Sequence, residues 1–343
     1  MIEKIFVISD IEMGRGDIMD DFSDDQAVCD FTAKICQDNP ETRVTLVLNG
    51  DIFDFLKMAY QGEYPRYVTA EISLWKLEEV IKTHPLVFDA WKKFVSLGNN
   101  IFFVIGNHDA DLAWPALQEK IRDLLGSNTV NVKFGFSFDH KDIHAEHGHM
   151  HEPFFSINLL KPVIKYKGKE ILNLPWGAQA CFHYLVNLKK KFPLEERQYP
   201  KPMALKKNSM FKKDSRKTVY RLALKEILLN PLLKFYDPTY RVPLRKFIGH
   251  VLQHGLNIVD DQKFVPTLLK RAARKNPGKK IIILGHAHVL TDIESRTHRH
   301  IITDTWRNEL DLTNNMAKKK KSYAEITYHG NQLQGAELKT FQG

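Results

Sequence analysis

Apolar residues recur along this chain in short unbroken runs, and each run stops at a polar cluster. Lys4 to Ser9 (KIFVIS) ends at Asp10, Arg43 to Leu48 ends in NGDIFDF, and Asn100 to Ile105 ends in GNHDAD. Later, Lys141 to Ala145 leads into EHGHMH, and Lys279 to Leu284 (KKIIIL) ends in GHAH. Runs of this length, rich in Ile, Val and Phe, predict strands. Between the early runs, Ser23 to Gln37 and Leu74 to Leu97 carry apolar residues at helical spacing. Alternating strand and helix predicts parallel strands in a layered α/β sheet. Such sheets gather ligands in the crevice at the strands' carboxyl ends, so all five polar clusters should line one edge.

That edge has an unusual charge. In VISDIEMGRGD, residues 7–17, Asp10 and Glu12 lie two residues apart and share one side of an extended chain. Their charges repel unless something positive sits between them. Taken singly, each cluster has an ordinary reading: Asp51 and Asp54 as helix caps, Asn107 in a left-handed turn, His286 and His288 as core histidines. Taken together, carboxylates, imidazoles and an amide oxygen are costly to bury without neutralisation, and one or two cations would supply it.

The motifs Asp10-Ile11-Glu12, Gly50-Asp51-Ile52-Phe53-Asp54, Gly106-Asn107-His108-Asp109, His147 and Gly285-His286-Ala287-His288, in that order, resemble those of the calcineurin-like metallophosphoesterase superfamily. The resemblance implies a sandwich of two mixed β-sheets flanked by helices. It also implies two divalent ions, the first held by Asp10, Glu12, Asp51 and His288, the second by Asp51, Asn107, His147 and His286. Such a pair polarises the phosphoryl oxygens and a shared water, giving a hydroxide for in-line attack on phosphorus. His108 takes the family's general-acid position, with Asp54 to orient it, and imidazole suits that work near neutral pH. Asp109 fits a turn cap as well as an acid. Arg15 is a candidate phosphate clamp, against the commoner solvated loop arginine. HAEHGHMHEP offers His144, His147, His149 and His151; His147, directly before Gly148, matches the family's His-Gly placement, and His149 is a candidate contact to substrate.

Oxygen and imidazole donors without cysteine suit Mn, Fe or Zn better than Ca. Glu12 stands where the family most often has His, and the added oxygen favours Mn2+, with Fe, Zn and Mg as alternatives. Glu12 could bind the ion directly or hydrogen-bond a water on it.

Charge divides the chain. The 343 residues, 43% hydrophobic, suffice for one large domain with an insertion or for two domains. Of the formal net charge of +9, the stretch from Asn158 to His250 carries about 21 Lys and Arg against about 6 acids. The expected organisation is therefore a core over 1–151 and 261–343, interrupted by a mostly helical basic cap over 152–260. Its runs NLKKKF and LKKNSMFKKDSRK fit a solvated surface, an anionic substrate body or membrane headgroups, with nucleic acid as a further alternative. Cys29, Cys36 and Cys181 share no metal or disulfide spacing. Without a signal-peptide pattern or an 18-residue apolar stretch, the expected location is cytoplasmic, at most peripheral to a membrane.

Within the superfamily, GDIFDF and the late DTWRNE most resemble the branch containing the UDP-2,3-diacylglucosamine hydrolases. That resemblance implies a lipid-linked or nucleotide-type phosphoester as substrate. Phe55-Leu56 replaces the Arg-Gly of the protein phosphatases. A nuclease-type phosphodiesterase and a non-catalytic phospholigand scaffold are the alternatives. After the last motif, HIITDTW and KSYAEITYHGNQLQGAEL predict strands closing the second sheet, NNMAKKKKS an exposed loop, and Trp306 a core position.

Overall fold

The computed structural model describes residues 2–126, 130–239 and 261–342. β1 (Ile2–Ile8), β2 (Val44–Asn49), β3 (Asn100–Val104) and β4 (Val132–Gly135) run parallel in one sheet. β5 (Ser137–His140) and β6 (Ile143–Glu146) pair antiparallel and begin a second. The stretch that follows contributes a hairpin, β7 (Val163–Tyr166) and β8 (Lys169–Leu172), and a short β9 (Gln198–Tyr199). β10 (Ile281–Leu284), β11 (Thr291–Glu294) and β12 (Arg299–Ile302) complete the second sheet, in the order β11-β12-β10-β6-β5, with β10 parallel to both its neighbours. β13 (Leu310–Asp311) pairs with β9 on one side and β14 (Ala317–Lys318) on the other.

Alternation along β1 explains the layers. Ile5 and Val7 point into a cluster that also holds Ile143, Ala145, Ile281, Ile283 and Ile301, so the two sheets pack face to face. Phe6 and Ile8 point the other way, into the core shared with the helices. On that outer face lie α1 (Asp25–Gln37), α2 (Ala70–Thr83), α3 (Pro85–Ser96) and α4 (Pro115–Leu124), which bury Phe31, Leu77, Trp91 and Ile121 among others. The helical pattern of Leu74 to Leu97 breaks in two at His84-Pro85. Proline lacks an N–H and forces its predecessor out of the helical region, and His84 has φ −118° and ψ 48°.

The closing hairpin departs from expectation. β15 (Lys321–His329) and β16 (Gln332–Phe341) extend the first sheet, β15 pairing antiparallel with β1 from Ile2–His329 to Val7–Ala324. The pairing covers a ladder that β1 would otherwise expose at an edge, and Ala324 and Ile326 add to the apolar layer between the sheets. The lysine-rich loop before it is not wholly exposed either. Lys319 donates to Asp304 (2.7 Å) and Glu309 (3.2 Å), and buried Lys321 donates to the carbonyl oxygens of Arg307 (2.8 Å) and Trp306. Trp306 is fully buried and stacks on Phe341.

Between β6 and the later helix the described chain is mostly helical: α5 (Trp176–Ala180), α6 (Val186–Lys191), α7 (Lys201–Lys207) and the 28-residue α8 (Ser209–Tyr236). Residues 240–260 of the expected cap lie outside the described residues. The chain resumes in α9 (Asp261–Lys275), whose Val265, Leu268 and Ala272 pack on Ile282, Leu284 and Ile302 of the second sheet.

Candidate metal centre

β1, β2, β3, β6 and β10 all deliver their polar clusters to one edge of the sandwich. The loops after β1 and β2 are laced together, since Asp10 N donates to Gly50 O (3.1 Å) and Glu12 N to Asp51 O (2.9 Å). The third motif joins them: His108 N donates to Asp51 Oδ1 (2.8 Å), and buried Asp109 accepts from Gly106 N (2.6 Å) and Ile52 N (2.7 Å). Burial, and then the charge of Asp51, raise the Asp109 carboxyl to about 7. Asp109 thus acts as a clasp between loops. His286 N closes the ring by donating to Asp10 Oδ2 (3.1 Å).

Two glycines are dictated by close approach. A Cβ on Gly50, whose φ is +85°, would lie 2.5 Å from the His147 ring, and a Cβ on Gly106 would run into the Asp51 carboxylate. The side-chain residues beside them are strained. Asp10 (φ 55°), Glu12 (55°), Asp51 (51°), His286 (66°) and His288 (50°) are all left-handed, at a cost of order 1–3 kcal/mol each. Five of the seven ligands expected from sequence adopt this backbone. Strain concentrated in this way is held by the surrounding fold for the sake of the site.

Ligand atoms of Asp51, His147 and His286 lie within 4.8 Å of one another, and so do those of Asp10, Glu12 and His288. The clusters adjoin at His147, whose Nε2 is 2.9 Å from Asp51 Oδ2 and 3.9 Å from Asp10 Oδ1. His147 Nδ1 donates to Asn49 O (3.0 Å), which turns Nε2 toward the carboxylates. Burial would lower its pKa, but Asp51 and then Asp10 outweigh burial and raise it to about 9, so an ion bound there would take the place of a proton. In the other cluster, His288 Nε2 sits 3.1 Å from Asp10 Oδ1 and 3.3 Å from Glu12 Oε1, and its Nδ1 is 3.2 Å from Glu309 Oε1. A carboxylate or carbonyl behind each imidazole is the usual support for a metal-binding histidine.

Two further observations fit an ion. Asn107 Oδ1 is buried with no hydrogen-bond partner, and neither ring nitrogen of buried His149 has one. Burial and the neighbouring His147 and His286 push the His149 imidazole well below its ordinary pKa, so it stays neutral. The donors are oxygens and imidazoles, a set that suits Mn, Fe or Zn.

His108 adjoins the centre, with an atom within 4.8 Å of both Glu12 and Asp54. Its Nδ1 is 2.9 Å from Asp54 Oδ1, and a fifth of its side chain is exposed. Burial would lower its pKa, but Asp51 and Asp54 outweigh burial and raise it to about 10. A cation drawn to the same carboxylates would move it back toward neutrality.

Other expected residues sit elsewhere or in other company. Arg15 is bound by its own loop, to Asp17 Oδ2 (2.6 Å) and Ala59 O (3.3 Å). His144 faces Asp139 Oδ1 (3.0 Å), and His151 Nε2 is 2.7 Å from Glu146 Oε1. Glu12 is held by Arg307, whose Nη1 donates to both its oxygens (3.2 and 3.1 Å), with Lys57 Nζ at 3.5 Å. Burial would raise the Glu12 carboxyl, but Arg307 and then Lys57 lower it to about 2. In the sequence, Arg307 and Glu309 stand out only as part of DTWRNE, without a partner, and nothing marks Lys57.

Comparison with known proteins agrees with this picture. A family model described as calcineurin-like phosphoesterase matches residues 3–290. No curated protein matches. Among solved structures, the chain is similar to a conserved uncharacterized protein of Streptococcus pneumoniae TIGR4, a predicted phosphoesterase, at 8% identity and a TM-score of 0.31, covering 99% of each chain. It is similar to a novel archaeal phosphodiesterase at 11% identity and a TM-score of 0.34, covering 98% of this chain and 99% of that one. A putative 5'-nucleotidase from Staphylococcus aureus, in complex with alpha-ketoglutarate, gives 10% identity and a TM-score of 0.35, covering 98% of this chain and 54% of that one. Structural likenesses this weak carry no argument.

Proposed function

Because the chain belongs to the calcineurin-like phosphoesterase family and is a metal-dependent phosphoesterase, we propose that it works through a dinuclear centre at the sheet edge, under a cap to which the described residues 152–239 contribute. The observation that carries this reading is the meeting of two ligand clusters at His147, within 3.9 Å of both Asp10 and Asp51. Asp10, Glu12, Asp51 and His288 would hold one ion, and Asp51, Asn107, His147 and His286 the other. When bound, such ions supply Lewis-acid polarisation of the phosphoryl oxygens and lower the pKa of water.

The chain's own residues do the rest. His108, fixed at Nδ1 by Asp54, presents Nε2 to the leaving oxygen and donates its proton there. Asp54 keeps the ring oriented. The left-handed loops hold the ligands in place before substrate arrives, which spares reorganisation during the reaction. Chelation followed by readdition of Mn2+ tests the reading, using aryl phosphate monoesters and diesters as substrates. Loss and recovery of turnover with metal content are expected; hydrolysis indifferent to chelator, or tight metal without turnover of any phosphoester, overturns it.

A lipid-linked phosphoester is the substrate class we favour, because the insertion carries a surface suited to anionic headgroups. Along α8, Tyr220, Leu224, Leu228, Leu232 and Phe235 are each at least 60% exposed and follow helical spacing. Lys212, Lys213, Arg216 and Lys217 are exposed in the preceding turns. An apolar strip continued by basic residues suits the interface of an anionic bilayer. Among the described residues no helix is long and apolar enough to cross a membrane. Sedimentation with phosphatidylglycerol vesicles, but not phosphatidylcholine, is expected, and the triple variant Leu224→Ser, Leu228→Ser, Leu232→Ser should lose it. Equal binding to both lipids, concentration-dependent dimerisation through the strip, or salt-sensitive cleavage of DNA or RNA would each replace this assignment.

A further inference from the structure

The two ligand clusters share an edge but not an environment. Glu12 is already paired before any ion arrives: Arg307 Nη1 spans both its oxygens, and Lys57 stands 3.5 Å away. Both cations are 5% exposed. Neither is easily displaced. Arg307 also donates Nε and Nη2 to Glu309 (3.0 and 2.7 Å) and Nη2 to Glu196 O (3.2 Å). Lys57 lies 2.8 Å from Asp54, 2.9 Å from Glu196 and 3.2 Å from Asp21. An ion entering among Asp10, Glu12 and His288 must compete with a guanidinium for the Glu12 oxygens, next to two fixed positive charges.

The other cluster offers the opposite. Among the described residues, no lysine or arginine ion pair reaches Asp51, His147 or His286; their partners are each other and Glu152, 3.5 Å from His286 Nε2. Asn107 Oδ1 is buried without a partner, and the bond from His147 Nδ1 to Asn49 O turns Nε2 toward Asp51. An ion arriving here displaces no lysine or arginine; it takes over the contact between His147 and Asp51.

We propose that the centre loads unequally. The Asp51, Asn107, His147 and His286 cluster holds one divalent ion tightly, and the Asp10, Glu12 and His288 cluster takes a second only at much higher free metal, because Arg307 and Lys57 occupy Glu12. This rests on the reading of the edge as a metal centre. The gap should reach at least about tenfold to a hundredfold, the range over which contacts behind the ligands tune metal affinity.

Titration of the full-length, metal-stripped chain with Mn2+, followed by calorimetry and by electron paramagnetic resonance, tests the inference without any turnover. A tight step at one ion per chain with the signal of an isolated Mn2+ is expected, then a weaker step that brings magnetic coupling. Asn107→Ala should remove the tight step, and Lys57→Met should strengthen the weak one. Two equally tight steps in the unmodified chain would overturn unequal loading while leaving the phosphoesterase reading intact, and would do so even if Lys57→Met failed to fold. A tight step that survives Asn107→Ala would overturn it too. No tight metal at all would remove the metal centre itself.

Discussion

The sheet edge and the insertion solve opposite problems. At the edge, Asp10, Glu12, Asp51 and His147 are all but inaccessible and strain is stored in the backbone, so the geometry exists before any ligand does. On α8, leucines and aromatic rings stand in water along a helix whose preceding turns are basic. A preorganised edge suits chemistry common to many phosphoesters, and an open amphipathic surface suits selection among them. The two regions meet at an ion-pair network: Lys189 of α6 binds Asp21 at 2.6 Å, and Glu196 reaches Lys57 at 2.9 Å, beside Glu12. Substitutions at the edge should therefore alter rate, and substitutions on the insertion should alter substrate preference or location.

The largest effect that could break this division is at Asp51. Asp51→Ala removes the carboxylate at the centre of three laced loops and is expected to empty both clusters, lowering turnover roughly a thousandfold or more. Elemental analysis of the purified variant checks it. Two ions retained per chain would contradict a bridging role for Asp51.

His108→Ala is the next largest and separates binding from chemistry. Metal content should be unchanged, while turnover of substrates with poor leaving groups falls roughly a hundredfold to ten-thousandfold, the usual worth of a positioned acid. Activated aryl esters, whose leaving oxygen needs little protonation, should lose much less. An equal loss for both substrate types would show that His108 acts on something other than the leaving group.

How much of this was legible in the sequence differs between the same two regions. Ligand candidates could be found because each follows a strand-like apolar run, and the ends of parallel strands are forced to one edge. Arg307 could not be paired with Glu12 in advance, since 295 positions separate them and no local period links them. Alternation likewise marks which residues of β15 are buried but not which strand it pairs with, so the closing hairpin was expected in the second sheet and lies in the first. In the insertion, the expected helical character is realised in α8, yet periodicity cannot say whether an apolar strip meets a core or water. Leu224 and Leu228 meet water.

A moderate effect lies at the joint between α2 and α3, where His84 ties the first motif's loop to the helical layer. His84 Nδ1 is 2.7 Å from Asp25 Oδ1 and its Nε2 is 3.2 Å from Asp20 Oδ2. Burial would lower its pKa, but the bonds to Asp20 and then Asp25 outweigh burial and raise it. A histidine whose folded pKa exceeds its unfolded value, about 6.5, contributes stability that is full below that value and lost as pH rises through the folded pKa. His84→Gln should therefore lower the urea midpoint more at pH 5.5 than at pH 9. A larger loss at the alkaline end would mean the ring is neutral in the folded chain.

The smallest expected effect sharpens the comparison most. Leu228→Ser on α8 exchanges a side chain that is 60% exposed, so little apolar surface returns to water on substitution. Its stability cost should stay within about 0.5 kcal/mol, the usual range for surface positions. Emptying a core aromatic position such as Trp91, which is fully buried, costs about 3–5 kcal/mol. If Leu228→Ser instead unfolds the chain near the core figure, the strip is covered in solution. The insertion would then be a second core, and its exposed leucines would say nothing about a lipid surface. If stability holds while vesicle binding weakens, the strip is kept apolar for contact rather than for folding.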